Sequence, residues 1–242
     1  MAASTAPVLR TSAYDGDLYA KDTYLHAEGI SYTAVHGDET AQVNVPIPGK
    51  FTVYNTLTAM GIAMELGVSL EACAAALAKV EGVKGRIEVV PTPGMPFSVL
   101  IDYAHTPDGL ENVLSSVRDF CKGRLIAVFG CGGDRDPIKR PIMGRIGVEL
   151  ADIAVITSDN PRTEDPMTII GHILKGADEA GGSYKVIENR VKAIGYAMDI
   201  AEKDDIIVLA GKGHETYQEI MGVKHHMDER EIVADILKEK RG

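Results

Sequence analysis

Short runs rich in valine and isoleucine alternate with amphipathic patterns from Arg86 to the end of the chain. The runs cover residues 97–103, 124–129, 153–157, 184–187 and 205–210. Helical periodicity covers residues 107–119, 139–150, 166–178, 190–202 and 228–239. Strands that alternate with helices form a mostly parallel sheet, because each helix carries the chain back over a face of the sheet. The pattern therefore predicts an α/β, doubly wound domain over residues 88–242.

The part of the chain before this alternation has a different texture. Residues 19–45 are rich in Thr, Tyr, Val and His with short alternations, which are typical of antiparallel strands. A helix follows, with an apolar stripe at Val53, Leu57, Met60 and Met64. Ser69 is a suitable N-cap for a second helix over residues 70–79. We expect a small α+β region over residues 1–87, with residues 1–17 lacking order.

Composition excludes several classes of protein. The 242 residues carry a net charge of -10, which argues against a nucleic-acid partner because phosphate binding requires an excess of Lys and Arg. No apolar run is long enough to cross a bilayer, and the first ten residues do not resemble a secretion signal, so we expect no membrane association. Three cysteines without zinc spacing suit buried, reduced thiols in a cytoplasmic protein. The adjacent pair His225–His226 has no third ligand at suitable spacing, so no metal site is predicted.

Polar and glycine-rich segments follow four of the predicted strands. They occupy residues 102–105, 130–135, 159–162 and 211–215. Ligands of open α/β sheets bind beyond the carboxyl ends of the strands, and these four segments are all expected there. Neither glycine-rich segment has the spacing of a dinucleotide fingerprint or of a P-loop. The sequence therefore predicts a binding site of another kind at this edge of the sheet.

The side chains of these segments favour a small zwitterion. Arg140 and Arg162 each offer a planar fork for a carboxylate, and Asp159, Asn160 and Glu215 offer acceptors for an ammonium group. Other roles remain open, because Arg162 could pair with Glu164 or Asp165 in a solvated turn and His105 could be a capping or core imidazole. No nucleophile lies beside a suitable base, so no catalytic residue is identified.

Six segments of the sequence resemble one family closely. "VLIDYAHTPDGLENVL", "VFGCGGDRDPIKRPIMG", "ITSDNPRTEDP" and "LAGKGHETYQ" are similar to motifs in the C-terminal, Rossmann-like domain of the Mur ligases. "GKFTVYNTLTAMG" and "VKGRIE" resemble the end of the central ATP-binding domain of that family, and the likeness runs from about Tyr19 onward. The resemblance implies ATP-dependent amide bond formation with Mg²⁺. In this reaction the glutamate carboxylate of UDP-N-acetylmuramoyl-alanyl-glutamate is activated as an acyl phosphate, which the amine of an amino acid attacks.

The resemblance also implies roles for individual positions. It places the incoming amino acid on Arg140, Asp159, Asn160, Pro161, Arg162, Gly211 and Glu215. Arg86, Asp102 and His105 match positions on the nucleotide side of the cleft. A D-N-P-R loop goes with meso-diaminopimelate, whose far end carries its own carboxylate, so Arg162 is expected to select that ligand over lysine.

Departures from the family pattern give further expectations. The sequence has no P-loop and no position for the carbamylated lysine of the family, and Pro137-Ile138 stands where Lys-Gly is expected. We therefore expect residues 1–87 to be the end of the ATP-binding domain, with apolar side chains uncovered on the helix that bears Val53, Leu57, Met60 and Met64. We also expect this chain alone to be inactive as a ligase. A standalone amino-acid-binding module and a subunit that complements a separate ATPase half are the alternatives.

Overall fold

The structure, a computed structural model, describes residues 8–240. The chain divides into two compact units, Met1–Gly82 and Val83–Gly242. The expected boundary at residues 87 and 88 lies a few positions later than this division. Residues 83–87 go with the second unit because the Ile87 N–H donates to the Asp102 carboxylate at 2.8 Å and the Gly85 carbonyl accepts from the Tyr103 N–H at 2.7 Å. The assignment of the two parts to particular family domains stays a prediction.

The first unit is a four-stranded sheet with two helices. Its elements are β1 Thr11–Ser12, β2 Leu18–His26, β3 Gly29–His36, β4 Glu39–Val45, α1 Phe51–Glu65 and α2 Leu70–Leu77. Strands β2, β3 and β4 are antiparallel, and β1 pairs in parallel with β2. The Ser69 side chain caps α2 by accepting from the Ala72 N–H at 3.2 Å, as the sequence predicts.

The structure bears on two expectations about this unit. Residues 8–17 do not lack order, since Thr11 and Ser12 pair with β2 and the Arg10 carbonyl accepts from the Asp17 and Leu18 N–H groups; residues 1–7 lie outside the described part. The large apolar side chains of Phe51, Tyr54 and Ile62 on α1 are exposed, whereas most of the apolar stripe is covered. Val53, Leu57 and Met60 are buried in a core with the inward side chains of the sheet of the same unit. The unit therefore covers this face of α1 by itself.

The second unit contains a six-stranded sheet. Its elements are β5 Glu88–Val90, β6 Ser98–Asp102, α3 Pro107–Arg118, β7 Leu125–Phe129, α4 Lys139–Leu150, β8 Ile153–Ile156, α5 Pro166–Ala180, β9 Tyr184–Val186, α6 Arg190–Ile200, β10 Ile206–Ala210, β11 Tyr217–Ile220, β12 Val223–His226 and α7 Glu229–Glu239. The strand order is β5-β6-β10-β7-β8-β9, and only β5 is antiparallel to its neighbour. The predicted fold class, α/β with a mostly parallel sheet, is confirmed.

Helices cover both faces of this sheet. On one face, α6 and α7 bury Ala193, Ile194 and Val233 against alternate residues of the central strands. On the other face, α4 packs so closely on β7 that a Cβ added at Gly147 would lie 2.3 Å from the Phe129 ring. None of the helices within residues 8–240 is both long and apolar enough to span a bilayer.

Three strands of the second unit were not predicted. Strand β5 is a three-residue edge strand, too short to show an alternation. Strands β11 and β12 form a hairpin whose turn residues Met221 and Gly222 both have positive φ, the conformation that two-residue hairpin turns favour. Their largely exposed, polar side chains gave no apolar pattern from which to predict them. His225 and His226 are exposed on β12, and His226 lies 2.5 Å from Glu231.

The central strands end at one level, which places the following loops together. Ala210 of β10 lies opposite Asp102 of β6, and Phe129 of β7 lies opposite Ile156 of β8. The loops that leave these strands therefore begin side by side at the carboxyl edge, as the sequence predicts.

Candidate functional site

Backbone hydrogen bonds join the loops at the carboxyl edge to one another. The Gly211 N–H donates to the Asp102 carbonyl at 3.0 Å, and the Gly133 N–H donates to the Asn160 carbonyl at 2.9 Å. Gly211 has a φ of 119°, a conformation that a residue with a side chain rarely adopts. Pro161 is buried, and its carbonyl lies where a Cβ on Gly133 would have to be placed. The predicted loops thus form one connected rim.

A buried ammonium group lies at the centre of this rim. The Lys212 side chain is fully buried, and its Nζ donates to the Asn160 Oδ1 at 2.9 Å and to the Tyr217 carbonyl at 2.8 Å. The same Nζ lies 3.3 Å from Asp159 Oδ1 and 3.6 Å from Glu215 Oε2. We refer to Lys212, Asp159, Asn160 and Glu215 as the Lys212 cluster. The sequence prediction brought together the three acceptors correctly but omitted the lysine, although a Gly-Lys-Gly segment directly after a buried strand was the available signal.

The acceptors of the Lys212 cluster are held in fixed orientations. Asn160 donates through Nδ2 to Glu215 Oε2 at 2.9 Å, while its Oδ1 also accepts from the Glu219 N–H at 3.0 Å. Asp159 Oδ1 is within ion-pair distance of Lys212 Nζ, but the approach angle is too poor for a hydrogen bond, and no other described residue donates to it. Because a buried carboxylate oxygen without a donor is costly, Asp159 has capacity for a further cation or N–H group.

Arg140 is held by an internal partner. Its guanidinium is buried and forms a bidentate pair with the Glu164 carboxylate, at 2.7 and 2.9 Å, with the His172 ring nitrogen at 3.1 Å. The Arg140 guanidinium is the main reason that the pKa of Glu164 falls to about 2, with the Asp134 N–H adding to the effect. The fork of Arg140 is thus occupied by Glu164, and its buried Nε has no partner among residues 8–240; the contact of Arg140 with a ligand carboxylate stays a prediction.

Arg162 is half-buried and is held by the β11–β12 hairpin. Its backbone N–H donates to the Glu219 carbonyl at 3.0 Å, and its carbonyl accepts from the Met221 N–H at 2.7 Å. The guanidinium donates through Nη1 to the Gly133 carbonyl at 2.7 Å and lies 3.4 Å from the Glu219 carboxylate through Nε. The alternative partners Glu164 and Asp165 do not pair with it. Arg162 therefore lies beside the Lys212 cluster with part of its fork still exposed.

The side chain of a second arginine, Arg135, flanks the same glycine as Arg162. A Cβ built on Gly132 would lie 2.9 Å from Arg162 Nη1 and 3.8 Å from Arg135 Cγ. Arg135 is exposed, and its only hydrogen bond within residues 8–240 runs from Nη1 to the neighbouring Asp134 carbonyl at 3.1 Å. Arg135 lies in the predicted loop but was not predicted as a site residue. The spacing of the sequence could not show that this arginine, rather than Arg140, faces solvent.

An aromatic surface follows strand β6. The Tyr103 ring lies 4.6 Å from the His105 ring and 5.0 Å from the His214 ring, and the Arg86 guanidinium is 5.6 Å from its centre. Exposed rings and cationic groups of this kind suit the base or the phosphates of a nucleotide. His105 is exposed and does not cap the next helix, since the Thr106 side chain does so. Tyr103 and His214 were not predicted.

Asp102 lies at the start of this loop and has a structural role. Its carboxylate is buried and accepts from the Ile87 and Ala104 N–H groups, both at 2.8 Å. Burial raises the pKa of Asp102, and the two N–H groups and the charge of Arg86 oppose that effect. The side chain therefore shapes the loop and does not reach the surface where a nucleotide would contact it.

Nucleophilic and metal-assisted roles find little support in these residues. Burial raises the pKa of the Cys131 thiol to about 12, so a thiolate is not accessible. Cys73 is buried as well, and Cys121 is partly buried. Within residues 8–240 no three His, Cys, Asp or Glu side chains are grouped so that they could hold a metal ion. The site instead offers fixed charges and hydrogen-bonding groups, which bind and orient.

Comparisons with known proteins find similar sequences in one family. Residues 85–213 match the family described as the Mur ligase glutamate ligase domain. The chain is 47% identical over 224 residues to a UDP-N-acetylmuramoyl-L-alanyl-D-glutamate–2,6-diaminopimelate ligase of Clostridium botulinum, covering 92% of this chain and 46% of that protein. The enzyme of the same name from Clostridium tetani is 49% identical over 225 residues, with the same two shares. The chain thus spans about half the length of the curated relatives it matches.

Solved structures show the same fold. A structure of a 2,6-diaminopimelate ligase of the same name has a TM-score of 0.80 and 36% identity, and the match covers 97% of this chain and 48% of that one. The UDP-N-acetylmuramate–alanine ligase of Thermotoga maritima has a TM-score of 0.64 at 16% identity, covering 96% of this chain and 48% of that chain. At that identity the likeness concerns the fold alone.

Proposed function

The chain belongs to the Mur ligase family, and from this premise we propose that it takes part in ATP-dependent amide bond formation in peptidoglycan precursor synthesis. The proposed partners are meso-diaminopimelate and UDP-N-acetylmuramoyl-alanyl-glutamate, in the cytoplasm. In this reaction the substrate carboxylate attacks the terminal phosphate of ATP and ADP leaves. The amine then attacks the acyl carbon, phosphate leaves, and the amine gives up a proton.

The rim of the second unit is the proposed site for the incoming amino acid. Asp159 and Glu215 supply carboxylate oxygens for an ammonium group, Asn160 orients Glu215 through its Nδ2 donor, and Arg162 supplies a fork for a carboxylate. The observation that carries the proposal is that Gly133 joins these groups, since its N–H donates to Asn160 and its carbonyl accepts from Arg162. A zwitterionic end of an amino acid presents an ammonium and a carboxylate within a similar span. Gly211 and Pro161 shape the rim, and Arg135 takes the place first expected for Arg140.

ATP is proposed to face the surface formed by Tyr103, His105, His214 and Arg86. That surface would orient the nucleotide relative to the amino acid, which is where positioning contributes to catalysis. Magnesium would neutralise phosphate charge, but the described residues offer no set of three His, Cys, Asp or Glu ligands for it. The sequence contains no G-x-x-x-x-G-K-[ST] segment, so we expect this chain alone to form no product from ATP and the two substrates. Product from the purified chain would contradict that expectation.

The ligand assignment is tested by titrating the Arg162→Ala variant with meso-diaminopimelate and with lysine. We expect meso-diaminopimelate to lose about 10- to 100-fold in affinity, the range for one hydrogen-bonded charged contact, while lysine changes by less than about threefold. Arg162 has a positive φ, which is strained for any residue with a side chain. Arg162→Lys is therefore the matched control, because lysine has the same backbone strain as alanine and keeps the positive charge but lacks the planar guanidinium. Equal losses for both ligands in isothermal titration calorimetry would refute the assignment.

A further inference from the structure

We propose that Lys212 is a positioning residue that orients Asn160 and cancels one of the two carboxylate charges of Asp159 and Glu215, so that the cluster keeps one net negative charge for one ligand ammonium. This inference rests on the proposed function and deepens it. It explains why the acceptor cluster contains a cation at all, since an ammonium-binding site without Lys212 would present two negative charges.

The contacts of Lys212 account for its burial. Burying an ammonium group is costly unless its N–H groups find acceptors and its charge is balanced. Asn160 Oδ1 and the Tyr217 carbonyl accept two hydrogen bonds, at 2.9 and 2.8 Å. The Asp159 and Glu215 carboxylates lie 3.3 and 3.6 Å from Nζ without a well-aligned hydrogen bond, close enough for charge attraction. Neither carboxylate is therefore saturated by the lysine.

Lys212 also fixes which way the Asn160 amide points. The amide oxygen faces two donors, the Lys212 ammonium and the Glu219 N–H, so the amide NH₂ must face Glu215. Without Lys212 the oxygen loses one of these donors, and the amide loses part of the reason for its orientation. Asn160 is the residue that connects the lysine to the rest of the rim.

The other charged groups around the cluster leave this balance unchanged. Arg162 and Glu219 lie 3.4 Å apart and compensate each other, and Lys224 lies 4.1 Å from the centre of the Tyr217 ring on the hairpin. Asp102, at the end of the neighbouring strand, directs its carboxylate to the Ile87 and Ala104 N–H groups, and His214 is exposed beside Tyr103. Lys212 is therefore the cation that contacts both carboxylates of the cluster among the described residues.

The test is the pH dependence of meso-diaminopimelate binding to the wild type, Lys212→Met and Lys203→Met. Two carboxylates that share a buried site without a cation do not both stay charged near neutral pH, so one takes up a proton. In Lys212→Met the dissociation constant should rise by about tenfold per pH unit as pH falls from about 8 to 6, in excess of any change in the wild type. Lys203→Met removes the same charge from an exposed turn at the opposite edge and should follow the wild type. Parallel profiles for all three proteins would overturn the inference.

A second variant covers the case in which Lys212→Met does not fold. Lys212→Met/Glu215→Gln again leaves one negative charge in the cluster, so it should melt at a higher temperature than the single variant and lose the extra pH dependence. If the double variant is no more stable than the single one, charge cancellation is not the role of Lys212. Failure of the wild type to bind meso-diaminopimelate sinks the proposed function, whereas wild-type binding with parallel pH profiles sinks only the role of Lys212.

Discussion

Three arginines at the rim differ in whether their guanidinium groups are paired within the protein or exposed. Arg140, Arg162 and Arg135 lie within or beside two adjacent loops, and all three could bind a carboxylate. The buried Arg140 binds the carboxylate of Glu164, whereas Arg162 and Arg135 stay partly or fully exposed. The Arg140–Glu164 pair is thus a structural brace of the loops, and the exposed pair is available for a ligand.

The brace predicts an acid-sensitive contribution to stability. Because Arg140 holds the pKa of Glu164 at about 2, below its ordinary 4.5, the stabilisation is complete above pH 4.5 and is lost as pH falls from about 4.5 to 2. The loss is on the order of 1–2 kcal/mol, since the Glu164 side chain is 30% exposed and solvent weakens the pair. Urea unfolding of Glu164→Gln between pH 5 and 2.5 should lack this component. The exposed Glu149→Gln should keep it, and an unchanged slope in Glu164→Gln would count against the brace.

The helix pair α4 and α5 fixes the position of that brace. The backbones approach so closely that a Cβ on Gly176 would lie 1.8 Å from the Pro141 carbonyl, and one on Gly144 would lie 2.0 Å from the Ile173 carbonyl. Arg140 is the second residue of α4, and Glu164 lies next to Asp165, the N-cap of α5, so the close packing of the helices sets the distance between the two side chains. The sequence predicted both helices but not their contact.

The close approach of α4 and α5 predicts opposite effects on stability for two glycine substitutions in α5. Gly171→Ala should stabilise the protein by about 0.5–1 kcal/mol, because alanine favours helix and nothing lies within 4 Å of the new Cβ. Gly176→Ala should instead destabilise it by about 1–3 kcal/mol, because the new methyl meets backbone that cannot move aside. Free energies of unfolding from urea titrations decide the matter, and a stabilised Gly176→Ala would show that the helices separate readily.

Across the chain as a whole, each compact unit has a hydrophobic core of its own. All the proposed ligand contacts belong to the second unit. Ligand binding stabilises the parts of a protein that it contacts, by a free energy that grows with the logarithm of the ligand concentration relative to the dissociation constant. The first unit has no proposed role in holding the amino acid.

Hydrogen exchange with and without meso-diaminopimelate tests this division. Amides of residues 130–135, 157–165 and 211–219 should exchange more slowly with the ligand, because binding suppresses local opening of the rim. Amides of β2, β3 and β4 should be unaffected. Protection confined to the first unit would place the binding site elsewhere in the chain.

The local sequence pattern was enough to predict the α/β class, five parallel strands, their helices and the edge at which the loops meet. The hydrophobic period of each element is set by a few neighbouring residues, and loops that follow parallel strands lie at the carboxyl edge of the sheet. The Gly-Lys-Gly segment marks Lys212 as a candidate, but the pairing of the Lys212 ammonium and the exposure of Arg135 instead of Arg140 could not be predicted, because the partners are distant in sequence. Arg140 and Glu164 are 24 residues apart, and Lys212 and Asn160 are 52 apart. Burial and pairing at such separations depend on how helices and loops pack, and only the folded chain decides which charge is compensated internally and which one is left for a ligand.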